Sequence, residues 1–104
     1  MTGLEIREEM AFYRHVKARG YKAEKLERAS ERGFPDRTVF LPGGRTLFVE
    51  FKKPGGGTVS PQQRATLARL SGLGHECHVC DNADEAIDIF EAALNDALTG
   101  GARG

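Results

Sequence analysis

Two short stretches carry the residues best suited to chemistry: "GFPD" (Gly33–Asp36) and "LFVEFKK" (Leu47–Lys53). Each sets one carboxylate in apolar surroundings, Asp36 just before "TVFL" and Glu50 inside "LFVEF". A carboxylate so placed is unfavourable unless something compensates its charge. Strand side chains alternate between faces, so Glu50 and Lys52 share one face while Val49 and Phe51 take the other. The "PGG" at 42–44 reads as a hairpin turn, and antiparallel pairing across it brings Asp36 close to Glu50. Two carboxylates that close repel and resist ionising together. A hard divalent cation such as Mg²⁺ or Mn²⁺ removes the conflict, takes oxygen ligands and keeps waters that leave room for a phosphate oxygen. Such an ion polarises a phosphoryl group and lowers the pKa of bound water. The Lys52 ammonium can hold that water or meet negative charge that develops in the transition state. The set suits phosphodiester hydrolysis. Acyl transfer fits less well, because no Ser or Cys has a base partner in view.

These residues need strands and a supporting helix. Residues 4–19 read as a helix, with Ile6, Met10, Phe12, Tyr13 and Val16 at helical spacing and Gly20 as its stop. Residues 21–28 read as a short polar strand and 29–33 as a loop. Residues 36–41 and 45–52 form the hairpin, and "PGGGTVS" at 54–60 is a flexible connection. Ser60, Pro61 and Gln63 spell a helix start with capping-box spacing. That helix carries Leu67 and Leu70 and ends near Gly72 or Gly74. Residues 75–80 read as a fourth strand. Asp81 or Asn82 caps a last helix with Ala86, Ile87, Ile89, Phe90, Ala93, Leu94 and Leu98 available for packing. The tail from about residue 99 is expected to fray. The order α-β-β-β-α-β-α predicts an α/β fold, a mixed four-stranded sheet flanked by helices: antiparallel at the hairpin, parallel across the strand–helix–strand crossover.

At 104 residues, one domain spanning 1–104 is expected, large enough for a small core. No apolar run is long enough to cross a membrane, and "MTGLEIREEM" lacks a signal-peptide core, so a cytoplasmic protein is expected. Two cysteines, Cys77 and Cys80, make no disulfide framework. The formal net charge is zero but unevenly spread: residues 1–53 hold 12 basic and 8 acidic residues, residues 54–104 hold 3 and 7. A polyanion could meet the N-terminal half, or these charges simply solvate the surface.

"GFPD", "VEFKKP" (Val49–Pro54) and "SPQQ" (Ser60–Gln63), in this order, resemble the virus-type replication-repair nuclease domain, VRR-NUC, of the PD-(D/E)XK nuclease superfamily. The similarity runs from about Leu4 to Phe90, and the length resembles stand-alone forms carried by bacteriophages and prophages. The resemblance implies a restriction-endonuclease-like core and an Mg²⁺- or Mn²⁺-dependent DNA endonuclease. Its substrate would be DNA of open preference, branched, flapped, single-stranded or ordinary duplex, with selectivity for junction, flap or nicked DNA in phage replication, recombination or repair as one option. It implies Asp36, Glu50 and the Phe51 carbonyl as metal ligands, Lys52 as the catalytic lysine and Gln63 as a supporting residue. It also implies an acidic residue on the first helix at the metal, Glu5 as first choice and Glu9 as second. Glu5 matches that position better, whereas Glu9 lies nearer the middle of the apolar arc. It further implies a homodimer, with the last helix as a candidate interface. Lys53, Arg37 and Arg45 are candidate phosphate contacts, Lys53 foremost.

Other features carry less. "HECHVCD" at 75–81 divides its His and Cys between two strand faces and lacks a second knuckle, which disfavours zinc. "PGGGTVS" lacks the G-K-[ST] ending of a nucleotide-binding P-loop. A DNA-binding module without turnover, or an accessory subunit of a replication complex, is the alternative to an enzyme.

Overall fold

The computed structural model describes residues 3–26, 33–55 and 57–100. The elements follow the expected order: α1 (Gly3–Ala18), β1 (Ala23–Glu24), β2 (Arg37–Leu41), β3 (Arg45–Phe51), α2 (Pro61–Gly72), β4 (Glu76–Cys80) and α3 (Ala83–Thr99). The strands lie in the order β1-β2-β3-β4. Pairing is antiparallel from β1 to β3, with Ala23 opposite Val39 and Arg37 opposite Val49. It is parallel between β3 and β4, with Glu50 opposite Val79. The predicted mixed sheet is thus present, and the "PGG" turn closes the hairpin as a single 3₁₀ turn, Pro42–Gly44.

Alternation along β3 divides the molecule into two layers. Leu47, Val49 and Phe51 point to α1 and α3, where they meet Phe12, Val16, Phe90 and Leu94 in the main core. Phe12 is the hub, with ring centroids 5.6 Å from Phe51 and 6.3 Å from Phe90. Burying one such ring contributes about 1.5–3 kcal/mol. Phe48 and Glu50 point the other way, toward α2. There Phe48 meets the rings of Phe34 and His75 edge-on.

The helix ends follow their sequence signals. Ser60 and Gln63 form the expected reciprocal capping box on α2. Asn82 caps α3 through its side chain, which accepts from Glu85 N. A second cap comes from far away: Glu8 Oε1 in α1 accepts from Ala83 N at 2.7 Å. Its charge also suits the positive end of the α3 dipole.

Several boundaries differ from expectation. The first strand is only two residues long, because its register spans just Ala23 and Glu24; residues 27–32 lie outside the described residues. Asp36 precedes β2 rather than opening it, and Lys52 follows β3. Ile6 and Leu98, expected to pack, are 48% and 61% exposed. The last helix runs through Thr99, so the expectation of a frayed tail falls on 101–104, outside the described residues. Among the described residues no helix is long and apolar enough to cross a membrane.

Candidate active site

The GFPD loop delivers Asp36 to the end of β2 beside the last residues of β3. Asp36 Oδ2 accepts a hydrogen bond from Phe51 N at 2.9 Å. This fixes the carboxylate against the neighbouring strand, where Glu50 stands 4% exposed. Gly33 sets the loop's path: at φ 92° a Cβ there would lie 2.8 Å from the Gln62 carbonyl oxygen. The loop with Asp36 is thereby seated directly on α2, the helix that carries Gln63.

Gln63 ties the site together. Its Oε1 accepts from Ser60 N at 2.9 Å and from Lys52 Nζ at 2.7 Å. Both partners are donors, so that amide atom must be the oxygen, and Nε2 then faces Glu50 Oε2 at 2.8 Å. Lys52 Nζ also lies 3.1 Å from Glu50 Oε2. The capping box that starts α2 therefore holds the glutamine that orients both the lysine and the carboxylate.

The electrostatics of this cluster are strained in one direction. Burial, then the charge of Asp36, pushes the Glu50 carboxyl up to about 7, against the opposing pull of Lys52. Asp36 is raised too, chiefly by burial and further by the charge of Glu9, while the Phe51 N–H works against the shift. One ammonium does not neutralise two half-desolvated carboxylates in contact. A divalent cation would, and two carboxylates are the hard oxygen donors that Mg²⁺ and Mn²⁺ take. Among the described residues no group of three Asp, Glu, His or Cys is assembled to hold a metal. An ion at Asp36 and Glu50 would complete its shell with backbone oxygen, water or phosphate.

The remaining candidates fall in different places. Glu9 is 3% exposed and accepts from Arg37 Nε at 2.6 Å. It is the α1 carboxylate whose charge bears on Asp36, whereas Glu5 sits half-buried one turn earlier. Arg37 is not placed for phosphate. Its guanidinium is buried, donates to the Ala23 carbonyl at 3.0 Å and lies over the Tyr13 ring. Arg45 is at the far end of β3, about 17 Å along the strand from Glu50 at ~3.3 Å per residue, and pairs with Asp96 at 2.9 Å. Lys53 is exposed next to Lys52. In "HECHVC", His75 packs on Phe48, His78 pairs with Glu76 at 2.8 Å, and Cys80 is buried with its thiol pushed up to about 12 by burial.

Comparison with known proteins bears on this cluster. The VRR-NUC domain family model matches residues 17–84, a span that contains Asp36, Glu50, Lys52 and Gln63 but not Glu5 or Glu9. The "Putative nuclease p44" of Acyrthosiphon pisum secondary endosymbiont phage 1 is 44% identical over 69 residues, covering 66% of this chain and 73% of that protein. A solved VRR_NUC domain superposes with a TM-score of 0.75 at 27% identity, over 86% of this chain and 97% of its own. A second solved structure, a VRR_NUC domain protein, shares the fold with a TM-score of 0.72 at 18% identity, over 91% of each chain. The chain belongs to the VRR-NUC family of nuclease domains.

Proposed function

We propose that this protein is a divalent-metal-dependent DNA endonuclease. The observation that carries the reading is the cluster of Glu50, Lys52 and Gln63 in mutual contact, with Asp36 beside Glu50. Asp36 and Glu50, together with the Phe51 carbonyl, would hold Mg²⁺ or Mn²⁺. When bound, such an ion polarises a phosphate oxygen and acidifies a water. Lys52, clamped by Gln63, directs its ammonium to the edge of the carboxylate pair. There it can orient the attacking water or meet the charge that builds on phosphorus-bound oxygen. Water adds at phosphorus, the bond to the leaving oxygen breaks, and that oxygen ends protonated. Glu9 tunes the site through its charge on Asp36, and Lys53 contacts a neighbouring phosphate.

The substrate class we favour is branched, flapped or nicked DNA in phage replication, recombination or repair, in the cytoplasm of the bacterial host. A molecule with no net charge gains little from long-range attraction to a plain duplex, so a backbone that meets it in more than one direction helps it most. A two-fold pair of chains would set two such sites on one branched substrate.

The test is cleavage of matched linear duplex, single-stranded, flapped, nicked and four-way-junction DNA with EDTA, Mg²⁺ or Mn²⁺, beside the Lys52→Ala variant. Cleavage is expected only with metal, and loss of roughly 100-fold or more in the variant, as when a transition-state charge loses its partner. Metal-free cleavage, or an undiminished rate in the variant, overturns the mechanism. DNA binding without cleavage of any substrate would instead identify a binding or accessory module.

A further inference from the structure

Lysine is a poor residue to hold still, because its ammonium ends a flexible four-carbon stem. The proposed mechanism nevertheless needs the Lys52 ammonium at one point, 2.7 Å from Gln63 Oε1 and 3.1 Å from Glu50 Oε2. Those two contacts hold the tip of the side chain. The stem is held by something else.

The connection after β3 doubles back over Lys52. A Cβ built on Gly57 would fall 2.3 Å from Lys52 Cβ, 2.9 Å from Cγ and 3.0 Å from Cδ. The first of these is a collision with the root of the side chain, which cannot swing aside as a tip can. Gly57 has no left-handed backbone requirement, so conformational freedom does not explain the glycine; the close approach does. The same connection is pinned on its other side. Gly55 N donates to Asp81 Oδ2 at 3.3 Å, at the junction of β4 and α3. Asp81 is itself steadied by Asn82 Nδ2 at 2.8 Å. Lys52 is pinned from behind as well, its own N–H donating to the Cys80 carbonyl at 2.8 Å. Between these anchors lies a cavity of about 320 Å³ lined by Lys52, Gly57, Val79, Cys80, Asp81 and Glu85.

We propose that Gly57 is a positioning residue for Lys52: the connection, anchored through Gly55 at Asp81, acts as a strap whose bare Gly57 backbone presses the lysine stem into the rotamer that reaches Gln63 and Glu50. This inference rests on the nuclease reading for the role of Lys52, but not for the strap itself. The strap leaves the metal-binding carboxylates alone. It therefore governs the chemical step and not the assembly of the metal site.

The experiment compares wild type, Gly57→Ala, Asp81→Ala and the double variant. In Gly57→Ala, kcat is expected to fall roughly 10–100-fold, the range a misplacement of about 1 Å produces. KM for DNA and Mn²⁺ affinity by calorimetry should stay near wild type, while the melting temperature falls by a few degrees as the strap yields. Releasing the strap at Asp81 lets the introduced methyl group move away from the lysine. The double variant is therefore expected to cut faster than Gly57→Ala alone and close to Asp81→Ala. A second readout needs no catalysis: acylation of the Lys52 amine, followed by peptide mass, should rise in Gly57→Ala as the ammonium leaves Gln63 and Glu50. Unchanged kcat and unchanged labelling in Gly57→Ala would overturn the proposal. So would purely additive losses in the double variant, because they would mean that no collision is being relieved. Should wild type fail to cut any DNA, the nuclease reading falls, while the labelling result still decides whether the strap positions Lys52.

Discussion

Glu50 carries two burdens at once: a buried position and a second carboxylate beside it. Both raise its affinity for a proton, to a pKa of about 7, above the ordinary value of 4.5. The folded, metal-free protein therefore holds a proton there that the unfolded chain releases. The linked stability is complete below the ordinary value and is lost as pH climbs through the folded one. The melting temperature in EDTA should thus fall between about pH 5 and pH 8, and Glu50→Gln should flatten the fall. Mn²⁺ takes the place of that proton, so the rise in melting temperature it causes should be larger at the alkaline end of the window. Thermal denaturation across pH, with and without Mn²⁺, checks both; a flat wild-type profile in EDTA would sink the assignment. The convergence of Asp36, Glu50 and Lys52 was legible from the sequence because one hairpin brings them together, whereas Gln63 joined them only through the family resemblance. Gly57 was not legible: "GGG" reads as slack, and only the path of the backbone over Lys52 shows that Gly57 faces a side chain.

Elements decide what the sequence left open about Arg37. It follows Asp36 directly, so a phosphate contact was a natural expectation. Yet the next position along β2 faces the opposite layer, where α1 presents Glu9 and β1 presents the Ala23 carbonyl. The pair joins three elements at the point where the GFPD loop enters the sheet. Removing one member of a buried pair typically costs about 3–5 kcal/mol, since the other is left uncompensated. Arg37→Ala should accordingly lower the melting temperature strongly, while the salt dependence of DNA binding by whatever folded protein remains stays as in wild type. A shallower salt slope with full stability would restore Arg37 to the DNA surface. Arg45 was misplaced for a related reason: its partner Asp96 is 51 residues away on α3, and no local pattern announces that pairing. The helices themselves were readable, because Ser60–Gln63 and Asn82 encode their caps locally. The two-residue β1 was not, since its limits depend on register with β2 and not on its own composition.

Across the whole molecule, charge differs sharply between the α2 region and α3. From Lys52 to His75 the chain carries Lys52, Lys53, Arg64 and Arg69 and no acidic residue. The last helix carries Asp84, Glu85, Asp88, Glu91 and Asp96 and no Lys or Arg. Glu50 and Lys52 open on the α2 layer, so DNA should approach over α2 and avoid α3. Replacing exposed Arg64 and Arg69 by Glu, in the Lys52→Ala background to prevent cutting, should weaken binding. It should also reduce the slope of log affinity against log salt by about one for each phosphate no longer neutralised. An unchanged slope would place the DNA elsewhere. The cap that Glu8 lends to Ala83 has a consequence for synthesis. Among the described elements, α1 leaves the ribosome first and α3 last, and the apolar side of the sheet has no complete cover until the two meet. The residues of the proposed site are thus translated well before the frame that positions them is complete. A half-made chain on the ribosome therefore lacks the Glu8–Ala83 link that joins its first and last helices.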